Sequence, residues 1–127
     1  MRKIALVGAM MLAAVGVVGV ASAEQKFDSK VTLHYESAGP AHGLHVFDGE
    51  VTSEKAKCVP KREVVLYRKN SAHGNSFKVG SAVTDENGFY LIATSSIESP
   101  IYYAKVKSKE IKAGLCKSDR SKRVEFN

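Results

Sequence analysis

Hydrophobic and polar residues alternate along several short stretches of this chain, the pattern of strands that bury one face. The stretches 30–36 (KVTLHYE) and 101–109 (IYYAKVKSK) show this alternation most clearly. The side chains expected to face inward are Val31, Leu33, Tyr35, Tyr102, Ala104 and Val106. Tyr103, Lys105 and Lys107 are then expected to point outward.

Five further stretches are rich in β-branched and aromatic residues: 44–53, 63–68, 79–84, 89–92 and 123–126. The run in 63–68 (EVVLYR) is nearly continuous, which favours a strand that is covered on both faces. Loops with Gly, Pro, Asn and Ser separate the strands, and no stretch of the mature chain has the helical period. We therefore predict a single all-β domain, a seven-stranded Greek-key β-sandwich of prealbumin or immunoglobulin type.

Two local patterns carry more specific expectations. In 79–92 (VGSAVTDENGFYLI), the turn residues 85–88 connect two strand-forming runs, which predicts a β-hairpin. Asp48-Gly49 lies in the middle of the predicted strand 44–53, where a glycine indicates a bulge or a close backbone approach.

Several segments resemble the carboxypeptidase-regulatory-like domains, which share the transthyretin (prealbumin-like) sandwich. They are 64–68 (VVLYR), 79–82 (VGSA), 84–90 (TDENGFY) and 102–106 (YYAKV). The resemblance extends over about 47–126, and small exported bacterial versions with one cysteine in each matching loop look closest. It implies that Tyr90 packs inward, and alternation then places Ile92 beside it. Hydrolytic members of this fold end in Tyr-Arg-Gly-Ser, whereas this chain ends in Val-Glu-Phe-Asn, which disfavours that activity.

The N-terminal residues have the three parts of a secretory signal peptide. Arg2 and Lys3 precede an apolar run over 4–20, and Ala-Ser-Ala follows at 21–23. We predict cleavage before Glu24, so that 1–23 is a signal peptide and 24–127 is the mature domain. The predicted location is secreted, periplasmic or cell-surface, with no membrane span after cleavage.

Charge and cysteine content limit the partners and the bonds that the chain is expected to form. Removal of Arg2 and Lys3 lowers the formal net charge of +6 by two, to +4, a modest excess that does not predict a nucleic-acid partner. The basic residues over 105–123 are interpreted as a solvated strand face, with an anion-binding stripe as the alternative. The chain has two cysteines, Cys58 and Cys116, which in an exported protein predict one disulfide bond.

Catalytic and metal-binding residues are sparse. His42 and His45, with Asp48 or the distant His73, are weak metal candidates, but their spacing has no helical meaning here, and we expect no metal and no cofactor. No Gly-x-Ser-x-Gly motif is present, and no paired carboxylates are singled out. The aromatic side chains that could form a platform for a sugar are Tyr35, Phe47, Tyr67 and Tyr103.

The prediction for function is a non-enzymatic interaction or structural module at the cell envelope or outside it. Its partner would be a protein or glycan of the envelope, bound at a rim that the Cys58–Cys116 bridge rigidifies. The alternatives are a carbohydrate-binding module, or a small hydrolase or metal-binding protein.

Overall fold

The computed structural model describes residues 24–37 and 43–127. The predicted signal peptide and His42 lie outside these residues. More than half of the described residues are in strands, and the described part contains a 3₁₀ turn at Ala56–Cys58 but no α-helix. The strands are β1 (Lys26–Phe27), β2 (Lys30–Val31), β3 (His34–Ser37), β4 (His45–Thr52), β5 (Glu63–Lys69), β6 (Ser76–Val83), β7 (Phe89–Thr94), β8 (Ile101–Val106), β9 (Lys109–Ile111), β10 (Gly114–Cys116), β11 (Asp119–Arg120) and β12 (Val124–Glu125).

Two antiparallel sheets contain most of these strands. The first sheet has the order β11–β8–β5–β6, and β12 also pairs with β8. In the second sheet β4 is central, with β2 and β3 on one side and β7 on the other. A small third sheet contains β9, β10 and β1.

The inner faces of the two main sheets share one hydrophobic cluster. Its buried members are Val31, Phe47, Val51, Val64, Leu66, Tyr90, Ile92, Tyr102, Ala104 and Val106. The inward-facing positions predicted for strand 101–106 are confirmed, as is the inward packing of Tyr90 and Ile92, which are each 5% exposed. The arrangement is consistent with an all-β sandwich.

The predicted hairpin over 79–92 is wrong in its strand pairing. The turn itself is present: the Gly88 amide donates to the Asp85 carbonyl (3.0 Å), and Gly88 has a φ of +89°. However, β6 pairs with β5 and β7 pairs with β4, so the turn crosses from one sheet to the other. The two strands diverge beyond the turn, because Thr84 bonds to Arg62 of β5's lead-in while the Gly88 carbonyl accepts from Val51 of β4. Alternation predicts strands, but it carries no information on which strand each one pairs with.

The predicted strand 30–36 is interrupted at residues 32 and 33. A Cβ built on Gly49 would lie 2.0 Å from the Thr32 carbonyl oxygen, which confirms the expected close backbone approach at this glycine. The Tyr90 hydroxyl also donates to the Thr32 carbonyl (2.5 Å). These contacts draw Thr32 toward β4 and divide the predicted strand into β2 and β3.

The sequence also missed short strands near the termini. Between the predicted strands 101–109 and 123–126, where a loop is expected, β9 and β10 form a hairpin, and β1 pairs with β10 in parallel. Strands of two or three residues are too short for a periodic pattern. The disulfide bond at Cys116 attaches the end of β10 to the 3₁₀ turn.

Candidate functional site

Cys58 and Cys116 form a disulfide bond and are both fully buried. Cys58 ends the 3₁₀ turn and Cys116 ends β10, so the bond connects this turn to the third sheet. It is covered and structural, and it fixes the end of the domain that also carries the third sheet.

A fully buried arginine lies beside this bond, and the sequence had not singled it out. Arg62 donates through Nη1 to Ser29 Oγ (2.9 Å) and the Cys58 carbonyl (2.6 Å). Through Nη2 it donates to the carbonyls of Lys107 (2.7 Å) and Lys117 (3.0 Å). Burial without a carboxylate partner lowers the pKa of this guanidinium below its usual value. Arg62 therefore joins four chain segments around the disulfide. In the sequence Arg62 lies in a charged loop, and nothing in that loop indicates that it joins these segments.

The histidines do not converge on a metal site within the described residues. His45 Nδ1 is 2.6 Å from the Tyr35 hydroxyl, and the two rings are stacked. His73 lies in the exposed loop between β5 and β6, and His34 is exposed on β3.

The four aromatic residues considered for a sugar platform fall into two separate groups. Phe47 is fully buried, and Tyr35 packs against it with ring centroids 5.2 Å apart. Tyr67 and Tyr103 stack on the outer face of the first sheet at 5.3 Å, and Arg120 covers the other face of Tyr103 at 4.6 Å. Tyr103 is consequently only 5% exposed although it faces outward as predicted. The ring faces of this stack are largely engaged within the protein.

Three of the basic residues over 105–123 have partners within the protein. Lys107 pairs with Glu63 (3.6 Å) and Lys117 with Asp28 (3.1 Å). The Lys109 ammonium approaches the carbonyls of Pro60 and Lys61 at the disulfide end. Because these cations already contact carboxylates or carbonyls, the interpretation as solvated surface is favoured over a continuous anion-binding stripe.

An open groove with a volume of about 530 Å³ lies beside the solvent face of the second sheet, and the end of β6 also lines it. Two apolar side chains of β7 project into it, Phe89 (51% exposed) and Leu91 (58% exposed). On β4 they lie opposite Glu50 and Asp48, respectively. Asp85 at the turn adds a third carboxylate, His34 of β3 also lines the groove, and none of the described lining residues is Lys or Arg. We call this feature the acidic groove.

The floor of the acidic groove is rigid. Tyr90 lies between Phe89 and Leu91 on β7 but points inward, where its hydroxyl bonds to Thr32. Burial, and then the negative charge of Asp48, raise the pKa of the Tyr90 phenol well above its usual value. The phenol therefore remains a neutral hydrogen-bond donor, and it fixes β7 against the N-terminal strands.

Sequence reasoning had missed the acidic groove as a site. Phe89 and Leu91 could be recognised as the outward positions of a strand, because Tyr90 and Ile92 were expected inward. Their combination with Asp48 and Glu50 required the pairing of β7 with β4, which the sequence did not predict.

Comparison of the chain with protein families, with curated proteins and with solved structures found no match. The resemblance to the carboxypeptidase-regulatory-like domains therefore rests on the residues quoted above. The described residues contain no helix that is long and apolar enough to cross a membrane.

Proposed function

We propose that this chain is an exported, non-enzymatic binding domain that acts at the cell envelope or outside it. Its partner is an extended, cationic polypeptide segment that docks in the acidic groove. A Greek-key sandwich of the transthyretin-like kind, preceded by a cleaved signal peptide, is the architecture that fits this role.

The observation that carries the proposal is the exposure of Phe89 and Leu91 beside the acidic side chains of β4. Large apolar side chains grouped on a solvent-facing surface are typical of contact sites. Asp48, Glu50 and Asp85 give the same surface a negative charge, although the mature chain as a whole is predicted to be basic. Charge complementarity therefore favours a cationic partner.

The strand order supports a partner with an extended backbone. Within the described residues β7 pairs with β4 only, so its other side is an unpaired sheet edge, with β6 of the first sheet packed near it. An extended segment can add to such an edge through its main chain, while its alternate side chains contact the surface beside it. Lys or Arg next to apolar residues would match the groove.

Export is supported by two features of the chain. The Cys58–Cys116 disulfide is typical of oxidising compartments. Residues 1–23 have the composition of a signal peptide.

Site-specific cross-linking in the producing cell tests this function. A photoreactive amino acid replaces Leu91 in one variant and Ser81, an exposed residue on the outer face of the first sheet, in the control. We expect a discrete cross-linked partner for position 91, attached through a segment that contains Lys or Arg beside apolar residues. The substitution Phe89→Ser should abolish this product.

Two results would contradict the proposal. One is equal cross-linking from positions 81 and 91, which would mean that contact is unspecific. The other is a partner segment that is acidic or uncharged. Sequencing of the mature N-terminus from the same preparation tests cleavage before Glu24.

A further inference from the structure

A second groove lies at the opposite end of β7 and differs from the acidic groove in its chemistry. It has a volume of about 420 Å³ and is formed by the end of β5, the start of β6 and the loop after β7. We call it the end groove. Its polar lining consists of Arg68, Lys78, Thr94, Ser95, Ser96 and Glu98.

Arg68 is held in a fixed orientation in the end groove. Its Nη1 donates to Ser99 Oγ (2.9 Å), and Ser99, which is 5% exposed, donates in turn to Asn70 Oδ1 (2.7 Å). The guanidinium also lies over the ring of Phe77, with Cζ 4.9 Å from the ring centroid. A cation that is oriented before binding loses little conformational freedom when a ligand arrives.

The other terminal nitrogen of this guanidinium, Nη2, has only a long contact with a carboxylate. Nη2 lies 3.8 Å from Glu98 Oε1, which is too long for a hydrogen bond. The Glu98 side chain is 62% exposed, and its other oxygen accepts from Ser96 Oγ (3.0 Å). This carboxylate is therefore near the guanidinium without engaging it closely.

We propose that the end groove binds a small hydroxylated molecule through an oxyanion, a carboxylate, phosphate or sulfate group. Arg68 provides the planar pair of donors that matches such a group, and Lys78 provides a second positive charge. The hydroxyls of Thr94, Ser95 and Ser96 are suited to the hydroxyl groups of the ligand. Glu98 occupies the vicinity of Arg68 in the free protein and moves into solvent when the ligand binds.

This site is independent of the proposed function, because Arg68 and Lys78 do not line the acidic groove. A volume of this size accommodates a monosaccharide derivative. The end groove also differs from the surface lysines over 105–123, since its arginine is oriented by the buried Ser99.

Calorimetric titration of the purified protein tests the proposal with four matched sugars: glucose, glucuronate, glucose 6-phosphate and glucose 6-sulfate. We expect at least one anionic sugar to bind about tenfold or more tightly than glucose, and the three anions identify the preferred group. Arg68→Gln should remove this preference, whereas Glu98→Gln should strengthen binding several-fold because it removes a competing carboxylate.

The matched control is Arg120→Gln. Arg120 carries the same charge but lies over Tyr103 on the outer face of the first sheet, so its loss should leave binding unchanged. If Arg68→Gln fails to fold by circular dichroism, Arg68→Lys replaces it. Lysine keeps the charge and loses the planar fork, and the expected loss of affinity is about tenfold.

Either of two outcomes overturns the proposal. In one, none of the three anions binds more tightly than glucose to the wild type or to Glu98→Gln. In the other, Arg120→Gln weakens binding as much as the Arg68 variant does, so that binding follows overall charge and not the end groove.

Discussion

Replacement of the buried Arg62 by methionine is the most informative test of how this domain is held together. Methionine keeps an unbranched side chain of similar reach but has no N–H donor. The substitution therefore removes the four hydrogen bonds to Ser29, Cys58, Lys107 and Lys117 with little change in packed volume.

The magnitude follows from the burial of the four acceptors. The bonds to Ser29 and Cys58 are buried, and an unsatisfied buried acceptor costs about 1–3 kcal/mol. The bonds to Lys107 and Lys117 are partly buried, so water can replace much of what is lost there. Part of this destabilisation is offset, because the variant no longer has the desolvation penalty of the buried guanidinium charge. We expect a net loss of about 3 kcal/mol, a large share of the 5–15 kcal/mol typical of a domain.

Denaturant and thermal unfolding followed by far-ultraviolet circular dichroism measure this loss, since the chain has no Trp for fluorescence. A loss of 3 kcal/mol corresponds to a decrease in Tm of about 15 °C for a domain of this size. Arg120→Met is the matched control, because that arginine is exposed and contacts one ring face. Its cost should be about 1 kcal/mol or less.

A double-mutant cycle connects the arginine to the disulfide. Arg62 bonds to the carbonyl of Cys58 and to that of Lys117, which follows Cys116. The effect of Arg62→Met should therefore differ by about 0.5 kcal/mol or more between the oxidised protein and a variant with both cysteines replaced by alanine. An Arg62→Met variant within about 0.5 kcal/mol of the wild type would refute the reasoning, because that is the effect of an ordinary surface substitution.

Three further predictions concern other fixed points of the fold. Replacing Cys58 and Cys116 together by alanine should lower the free energy of unfolding by about 4 kcal/mol, because the bond closes a loop with a sequence separation of 58; an unchanged denaturation midpoint would contradict this. Gly49→Ala should cost about 3 kcal/mol in chemical denaturation, since the new methyl group would collide with the Thr32 carbonyl, and wild-type stability would disprove the close approach. Tyr90→Phe should cost about 1 kcal/mol at neutral pH. Because the folded-state pKa of Tyr90 is raised, its contribution is complete below the usual tyrosine pKa of about 10 and is lost at higher pH. The stability difference between wild type and Tyr90→Phe should therefore shrink above that pH, and a constant difference would exclude the effect.

Much of the local structure follows from neighbouring residues alone. Alternation in 101–106 determines which side chains reach the core, because successive residues of a strand point to opposite faces. The Asp85–Gly88 turn likewise depends on a carboxylate that accepts from nearby amides and a glycine at positive φ. The presence of two cysteines was enough to predict their bond.

The candidate sites were decided by the tertiary structure. The acidic groove depends on β7 pairing with β4 and not with β6, and the end groove depends on Ser99 and Phe77 meeting Arg68 from different loops and strands. Arg62 contacts residues up to 55 positions away in the chain. Such contacts depend on which strands become neighbours. Strand order is determined when the apolar faces of both sheets become buried against each other. Periodicity within a single strand specifies its faces but not its partners.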